Sequence, residues 1–217
     1  ENSNRLIALE TGEIDIAYDI SSTDVKGLLK DDKLKLVSKS SLGTDFISIN
    51  TKKITDKRVR QAIELGVNKE DISTAVFEGM TELAPSLLAP SVFGYDKNVK
   101  LKPYDPEKAK ELLKEAGYEN GLKLELWIYE EPTRMQMAQV IQSNLKEIGI
   151  DISIQVLELS SFLQFTANGQ HDMLIGLWYV STGDADYGYY PLLHSTSAGC
   201  CSWNSYRTAT AGSIWFA

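Results

Sequence analysis

An open α/β sheet covered by helices is the fold class that the sequence predicts, and three observations predict it. Helical and strand periodicities alternate across residues 104–178, the connections between them are short, and one apolar run has the make-up of a strand buried on both faces. A chain of 217 residues with 43% hydrophobic content has enough apolar side chains for a core of that kind.

Taken in chain order, Leu6, Ile7 and Leu9 have helical spacing ahead of Thr11-Gly12. Residues 13–17 and 35–37 read as short strands, and residues 45–50 as another. Asp56 caps a helix carrying Val59, Ala62 and Ile63, and a second helix begins near Asn68 or Lys69. Pro85, Pro90 and Gly94, with Pro103 just beyond them, make residues 79–102 an ordered surface loop. Asp105 then suits an N-cap and Pro106 the first helical position, while Ala109, Leu112, Leu113 and Ala116 repeat at i, i+3, i+4, i+7 up to Gly117.

Leu122, Leu124, Leu126 and Ile128 alternate with Lys123, Glu125 and Trp127, a period of two that marks a strand. Pro132-Thr133 opens a helix with Met135, Ala138, Ile141, Leu145 and Ile148 along one face and Gly149 at its end. Ile152, Ile154 and Val156 give the next strand, so the unit is strand, helix, strand, which favours a right-handed parallel crossover. A short helix around residues 161–166 leads to the apolar run Met173-Leu174-Ile175-Gly176-Leu177-Trp178. Residues 197–217, rich in Ser, Thr, Ala and Gly, are expected to be an irregular tail.

Charge and composition exclude several functions. The balance of 22 basic and 30 acidic residues, net −8, gives nucleic acid no electrostatic footing. No run of 18 apolar residues is present to span a membrane. Cys200 and Cys201 are adjacent and cannot staple separate segments. With only His171 and His194, and no Cys-x-x-Cys pair, no metal cage of recognisable spacing occurs, and no cofactor is expected. Nucleotide-binding glycine loops and the nucleophile elbow are also absent. A small α/β hydrolase-like enzyme using His171 or His194 with carboxylates is the rival reading.

Ligands of open α/β sheets sit outside the carboxyl ends of strands. Two predicted strand ends share that edge, residues 129–134 and 178–187. The second sets Trp178, Tyr179 and Tyr187 beside Ser181 and the carboxylates of Asp184 and Asp186. Aromatic surface with a few placed polar groups suits a small or extended organic solute, and carboxylates suit its amine. At the first end, Tyr129 precedes a helix N-terminus that suits an anion, with Arg134 beside it. Together the two ends fit a zwitterion such as a peptide. The same residues have plainer roles open to them: Asp184 and Asp186 as turn formers and caps, Arg134 as a solvated residue at a helix start, Trp178 as core. The Asp-Ala-Asp spacing offers too few oxygens to hold a metal by itself.

Several stretches resemble a known family. Val59-Arg60-Gln61-Ala62-Ile63 comes first, then Tyr104-Asp105-Pro106-Glu107-Lys108-Ala109-Lys110 with Glu115-Ala116-Gly117-Tyr118, then Ile141-Gln142 with Leu145 and Ile148-Gly149-Ile150. In this order they are similar to bacterial extracellular solute-binding proteins of the oligopeptide, dipeptide and nickel-binding group that serves ABC importers. Leu9-Glu10-Thr11-Gly12-Glu13-Ile14-Asp15 resembles the segment before that family's carboxyl-terminal lobe, and Thr182-Gly183-Asp184-Ala185-Asp186-Tyr187-Gly188 resembles its Gram-positive branch.

The resemblance implies a lobe of the periplasmic-binding-protein type II fold. One cleft wall would capture a peptide or related solute and deliver it to membrane permease subunits. A nickel chelate or glutathione is the alternative solute on the same scaffold. The partner wall would be an amino-terminal lobe, since Glu1 opens the chain without an initiator Met or a signal-peptide pattern. Residues 1–50 would lead into the lobe, 51–196 would form it, and 197–217 would be a non-matching tail introduced by a junction or an altered reading frame. The implied location is the outer face of the cell membrane, through a lipid anchor, or the periplasm. In peptide-binding relatives an Asp shortly after the Trp matching Trp178 pairs with the ligand's amino terminus. By count that position is Ser181 here, and the later Gly-Asp-x-Asp run matches residues 183–186.

Overall fold

The computed structural model describes residues 2–18, 20, 22–197 and 213–216. In chain order the main elements are α1 (Asn2–Glu10), α2 (Ser22–Leu28), β1 (Gly43–Ile49), α3 (Lys57–Gly66), α4 (Lys69–Phe77), α5 (Pro106–Glu115) and β2 (Leu122–Tyr129). They continue with α6 (Pro132–Glu147), β3 (Ile150–Leu157), α7 (Leu159–Ala167), β4 (Met173–Tyr179), α8 (Ala185–Leu193) and β5 (Ser213–Phe216).

Short side chains set the helix starts. The Asp56 carboxylate accepts the Arg58 N–H at 2.8 Å, and Asp105 accepts the Lys108 N–H at 2.9 Å with Pro106 in the first turn, where a missing N–H costs nothing. Asn68 caps α4. Beyond the ends of α5 and α6, Gly117 and Gly149 adopt φ of 86° and 90°, a region that side chains disfavour, and this turns the chain into the next strand.

The five strands form one mixed sheet in the order β3-β2-β4-β1-β5. β2 and β3 pair in parallel from Leu122↔Ile150 to Tyr129↔Leu157, with α6 as the connection between them. β4 adds in parallel on the other side of β2, at Leu126↔Met173 and Trp127↔Leu174. β1 then runs antiparallel to β4, and β5 antiparallel to β1.

Alternation along the strands divides the core in two. Ile47, Ile49, Leu126, Ile128, Ile152, Met173 and Ile175 join Val59, Ala62 and Ile63 of α3, Ile72 of α4, Ala109 and Leu113 of α5, and Ala138, Ile141 and Leu145 of α6. On the opposite face Phe46 and Leu174 meet Leu87 of the long loop, Phe162 of α7 and Leu192 of α8. Helices thus cover both faces, as an open α/β sheet requires. The long loop is ordered by burial: Ala84, Leu87, Leu88, Ala89 and Val92 are all buried.

Three expectations change. Residues 13–17 and 35–37 form no strand, because their alternation finds no ladder partner among the described residues. Ile16 and Val37 instead remain 81% and 74% exposed. The tail expected to be irregular ends in β5, whose backbone pairs with residues 45–48. β1 lies within residues 1–50 yet is a central strand of the sheet. Cys200 and Cys201 lie outside the described residues.

Candidate functional site at the strand carboxyl ends

The parallel strands β2, β3 and β4 place Tyr129, Leu157 and Tyr179 on one edge of the sheet, and antiparallel β1 brings its first residue, Gly43, to the same edge opposite Tyr179. Both predicted strand ends are therefore on one side of the molecule. Tyr129 and Trp178 also pack on the same apolar cluster, that of Phe46, Leu87, Phe162, Leu174 and Leu192.

Trp178 is half-buried and held from two directions. Its indole N–H donates to the Tyr187 carbonyl at 3.0 Å, and its ring lies 5.6 Å from that of Tyr187. Tyr179 faces outward, 55% exposed, and packs over Gly43, where a Cβ would fall 2.5 Å from its Cε1 and 2.7 Å from its Cδ1. Gly43→Ala is expected to push the Tyr179 ring aside while costing only ~0.5 kcal/mol, because an exposed ring can rotate away. Tyr179 ring-proton shifts in NMR measure this, and unchanged shifts would contradict the contact.

Ser181 sits exposed in the turn after β4. Asp184 caps α8, its Oδ1 accepting the Asp186 N–H at 2.9 Å, and both carboxylates are exposed. The cap is pinned to the long loop: the Phe93 N–H donates to the Gly183 carbonyl at 2.8 Å, and the Ala185 N–H to the Phe93 carbonyl at 2.9 Å. Phe93, Tyr179, Tyr187 and Tyr190 are all exposed along this stretch, which gives an aromatic rim around two carboxylates.

The end of β2 differs from the sequence expectation. Glu131 caps α6, accepting from the N–H groups of Thr133 at 3.0 Å and Arg134 at 2.9 Å, so those donors are not free for a solute anion. Arg134 is not solvated; it is 4% exposed. Its guanidinium lies 4.4 Å over the Tyr129 ring, and Nη1 approaches Asp45 Oδ1 at 3.3 Å. Tyr129 is braced on its other side by Phe162, edge-on at 5.6 Å. No hydrogen bond or ion pair among the described residues joins this group to Asp184 or Asp186.

Asp45 was legible only as a strand residue, although a carboxylate beside Phe46, Ile47 and Ile49 is a signal of a buried charge with a partner. Burial pushes its carboxyl up from 3.8 to about 6; Arg134 opposes the rise and Glu131 adds to it. A carboxyl whose folded value exceeds its unfolded one favours folding most below pH 3.8 and loses that contribution as the pH rises through about 6. The difference corresponds to about 3 kcal/mol. Asp45→Asn is therefore expected to gain stability over the native chain, by up to about 3 kcal/mol, between about pH 4 and pH 7. Urea unfolding at the two pH values measures it, and a constant difference would contradict the burial account.

The histidines do not meet at this edge. His171 is fully buried near Trp127, at 6.2 Å between rings, just before β4 begins. His194 stacks on Tyr190 at 4.5 Å, with Nδ1 2.8 Å from Thr196 Oγ1. A groove of about 490 Å³ opens beside Gly43, lined by Ser38, Ser40, Ser41, Thr81 and Glu82 among others. A second, of about 840 Å³, lies at the amino ends of β2, β3 and β4 beside Lys53, Lys123, Asp151 and Asp172. Among the described residues no group of three or more His, Cys, Asp or Glu side chains is arranged to hold a metal.

Residues 1–200 match the family described as bacterial extracellular solute-binding proteins, family 5 middle. The chain belongs to that family. Family 5 relatives include di/tripeptide-binding protein 1 of Pseudomonas aeruginosa, 37% identical over 192 residues, which are 85% of this chain and 36% of the relative. Among solved structures, the periplasmic binding protein DppA of Helicobacter pylori in complex with the peptide STSA superposes with a TM-score of 0.84 at 31% identity, over 96% of this chain and 41% of that one. A dipeptide-binding protein from a Pseudoalteromonas species in complex with Met-Leu superposes with a TM-score of 0.82 at 27% identity, over 96% and 43%. The chain thus spans about two-fifths of the length of these relatives.

Proposed function

We propose that the chain is one wall of the solute cleft of an ABC importer's binding protein, that the solute is a short peptide, and that no catalytic step is involved. The observation that carries this reading is the aromatic rim with Asp184 and Asp186 at the strand carboxyl ends, in a chain that overlays a peptide complex over 96% of its length. Tyr129, Trp178 and Tyr179 would supply apolar surface for side chains, and Ser181, Asp184 and Asp186 the polar contacts, with the peptide's ammonium nearest the carboxylates. Arg134 supports the wall from inside rather than meeting the solute.

A one-sided surface buries too little of a peptide to hold it tightly, so a second wall closing by a hinge is part of the proposal. The closed form would then dock on permease subunits outside the cytoplasmic membrane, with a lipid anchor or the periplasm keeping the protein near them. The test is mass spectrometry of the solute carried through purification of the gene's full-length product. A short peptide is the expected result; glutathione, a nickel chelate or turnover of an added substrate would overturn the reading.

A further inference from the structure

We propose that Asp45 is a positioning residue for the solute edge: its carboxylate reaches from β1 to Arg134 of α6, holds the guanidinium over the Tyr129 ring, and loosens that wall when it takes up a proton. The inference rests on the reading of this edge as the solute surface, but the link itself is a property of the chain without solute.

Four elements converge on the link. β1 brings Asp45, α6 brings Arg134 and the capping Glu131, β2 ends in Tyr129, and α4 brings Lys69, which lines a small cavity with Asp45, Ser73 and Thr81. Of the charged groups around the carboxylate, Arg134 favours its ionised form and Glu131 disfavours it, while Lys69 shares the small cavity. The contact is loosely made. At 3.3 Å the Asp45–Arg134 approach is an ion pair, and neither Nε nor Nη1 of Arg134 has a hydrogen-bond partner among the described residues. A guanidinium 4% exposed, without those bonds, is held in place by charge and by the ring beneath it. Removing the charge takes away one of these two supports.

The carboxyl, pushed up to about 6 by burial, changes state in a range that reaches mildly acidic surroundings. Across that range a dipeptide keeps both terminal charges, since α-carboxyl and α-amino groups titrate near about 3.5 and about 8. A loss of affinity there comes from the protein.

Two measurements test the proposal. In NMR of the 217-residue chain, the Tyr129 ring resonances are expected to titrate with a midpoint near 6, to stay flat in Asp45→Asn, and to be displaced at neutral pH in Arg134→Lys, which keeps the charge but not the flat face. Tyr129 resonances that ignore pH in the native chain, or that titrate equally in Asp45→Asn, would overturn it. In the full-length product, the Kd for Met-Leu is expected to rise about fivefold from about pH 7 to about pH 5, and to be weak and nearly constant in Asp45→Asn. Equal pH dependence in both proteins would also overturn it. If Met-Leu binds at neither pH while the ring still titrates, the peptide reading fails and the Asp45 link stands.

Discussion

Trp178→Ala is expected to lower stability by about 3 kcal/mol and to abolish solute capture together. The side chain bridges two apolar clusters, one of Phe46, Leu87, Phe162, Leu174 and Leu192, the other of Leu88, Ala89, Val92 and Val180. Truncation opens a gap between them and also removes the indole bond to the Tyr187 carbonyl, which holds α8 against the end of β4. The ring is half-buried, so the expected cost sits at the low end of the range for aromatic truncation in a core, about 3–5 kcal/mol. Urea unfolding gives the first number and titration calorimetry with Met-Leu the second. A loss below about 1 kcal/mol would mean that the clusters do not depend on the ring.

Leu126→Ala is expected to cost about 3–5 kcal/mol while leaving the solute edge intact. Leu126 is fully buried on β2, between Ile154 of β3 and Met173 of β4, and it packs on the face of the sheet covered by α3, α5 and α6, away from Trp178. The cavity left there is far from Tyr179 and Asp184. Below the unfolding transition, Met-Leu affinity should match that of the native protein, and an affinity that falls in step with stability would show that edge and core are not separable.

Much of the fold was legible because its determinants are local. Asp56, Asn68 and Asp105 announce helix starts, Gly117 and Gly149 announce their ends, and the period of two from Leu122 to Ile128 marks β2. What was not legible depends on distant partners. The alternation at residues 13–17 equals that of a strand, but it has no neighbouring ladder among the described residues. The place of β1 between β4 and β5 is a non-local pairing that no local pattern encodes.

The site divides the same way. The aromatics and carboxylates of residues 178–186 were legible because they follow a buried strand, and Asp184 there caps α8. Arg134 misled, because a charged residue in the first turn of a helix is usually solvated, whereas here Asp45 from another element draws it inward. Glu131 took the anion's place for a similar reason: a carboxylate one residue ahead of Pro132 reaches the open N–H groups first. Gly43 was invisible as a site residue until the register set it opposite Tyr179.

The central claim is that peptides meet this family 5 chain at the carboxyl ends of its strands. Amide chemical-shift mapping of the ¹⁵N-labelled chain titrated with Met-Leu tests it most directly, since even weak contact moves nearby resonances. Shifts confined to Tyr129–Arg134, Gly43 and Trp178–Tyr187 are expected. Shifts centred instead on Lys53, Lys123 and Asp172, in the groove at the amino ends of the strands, would contradict it.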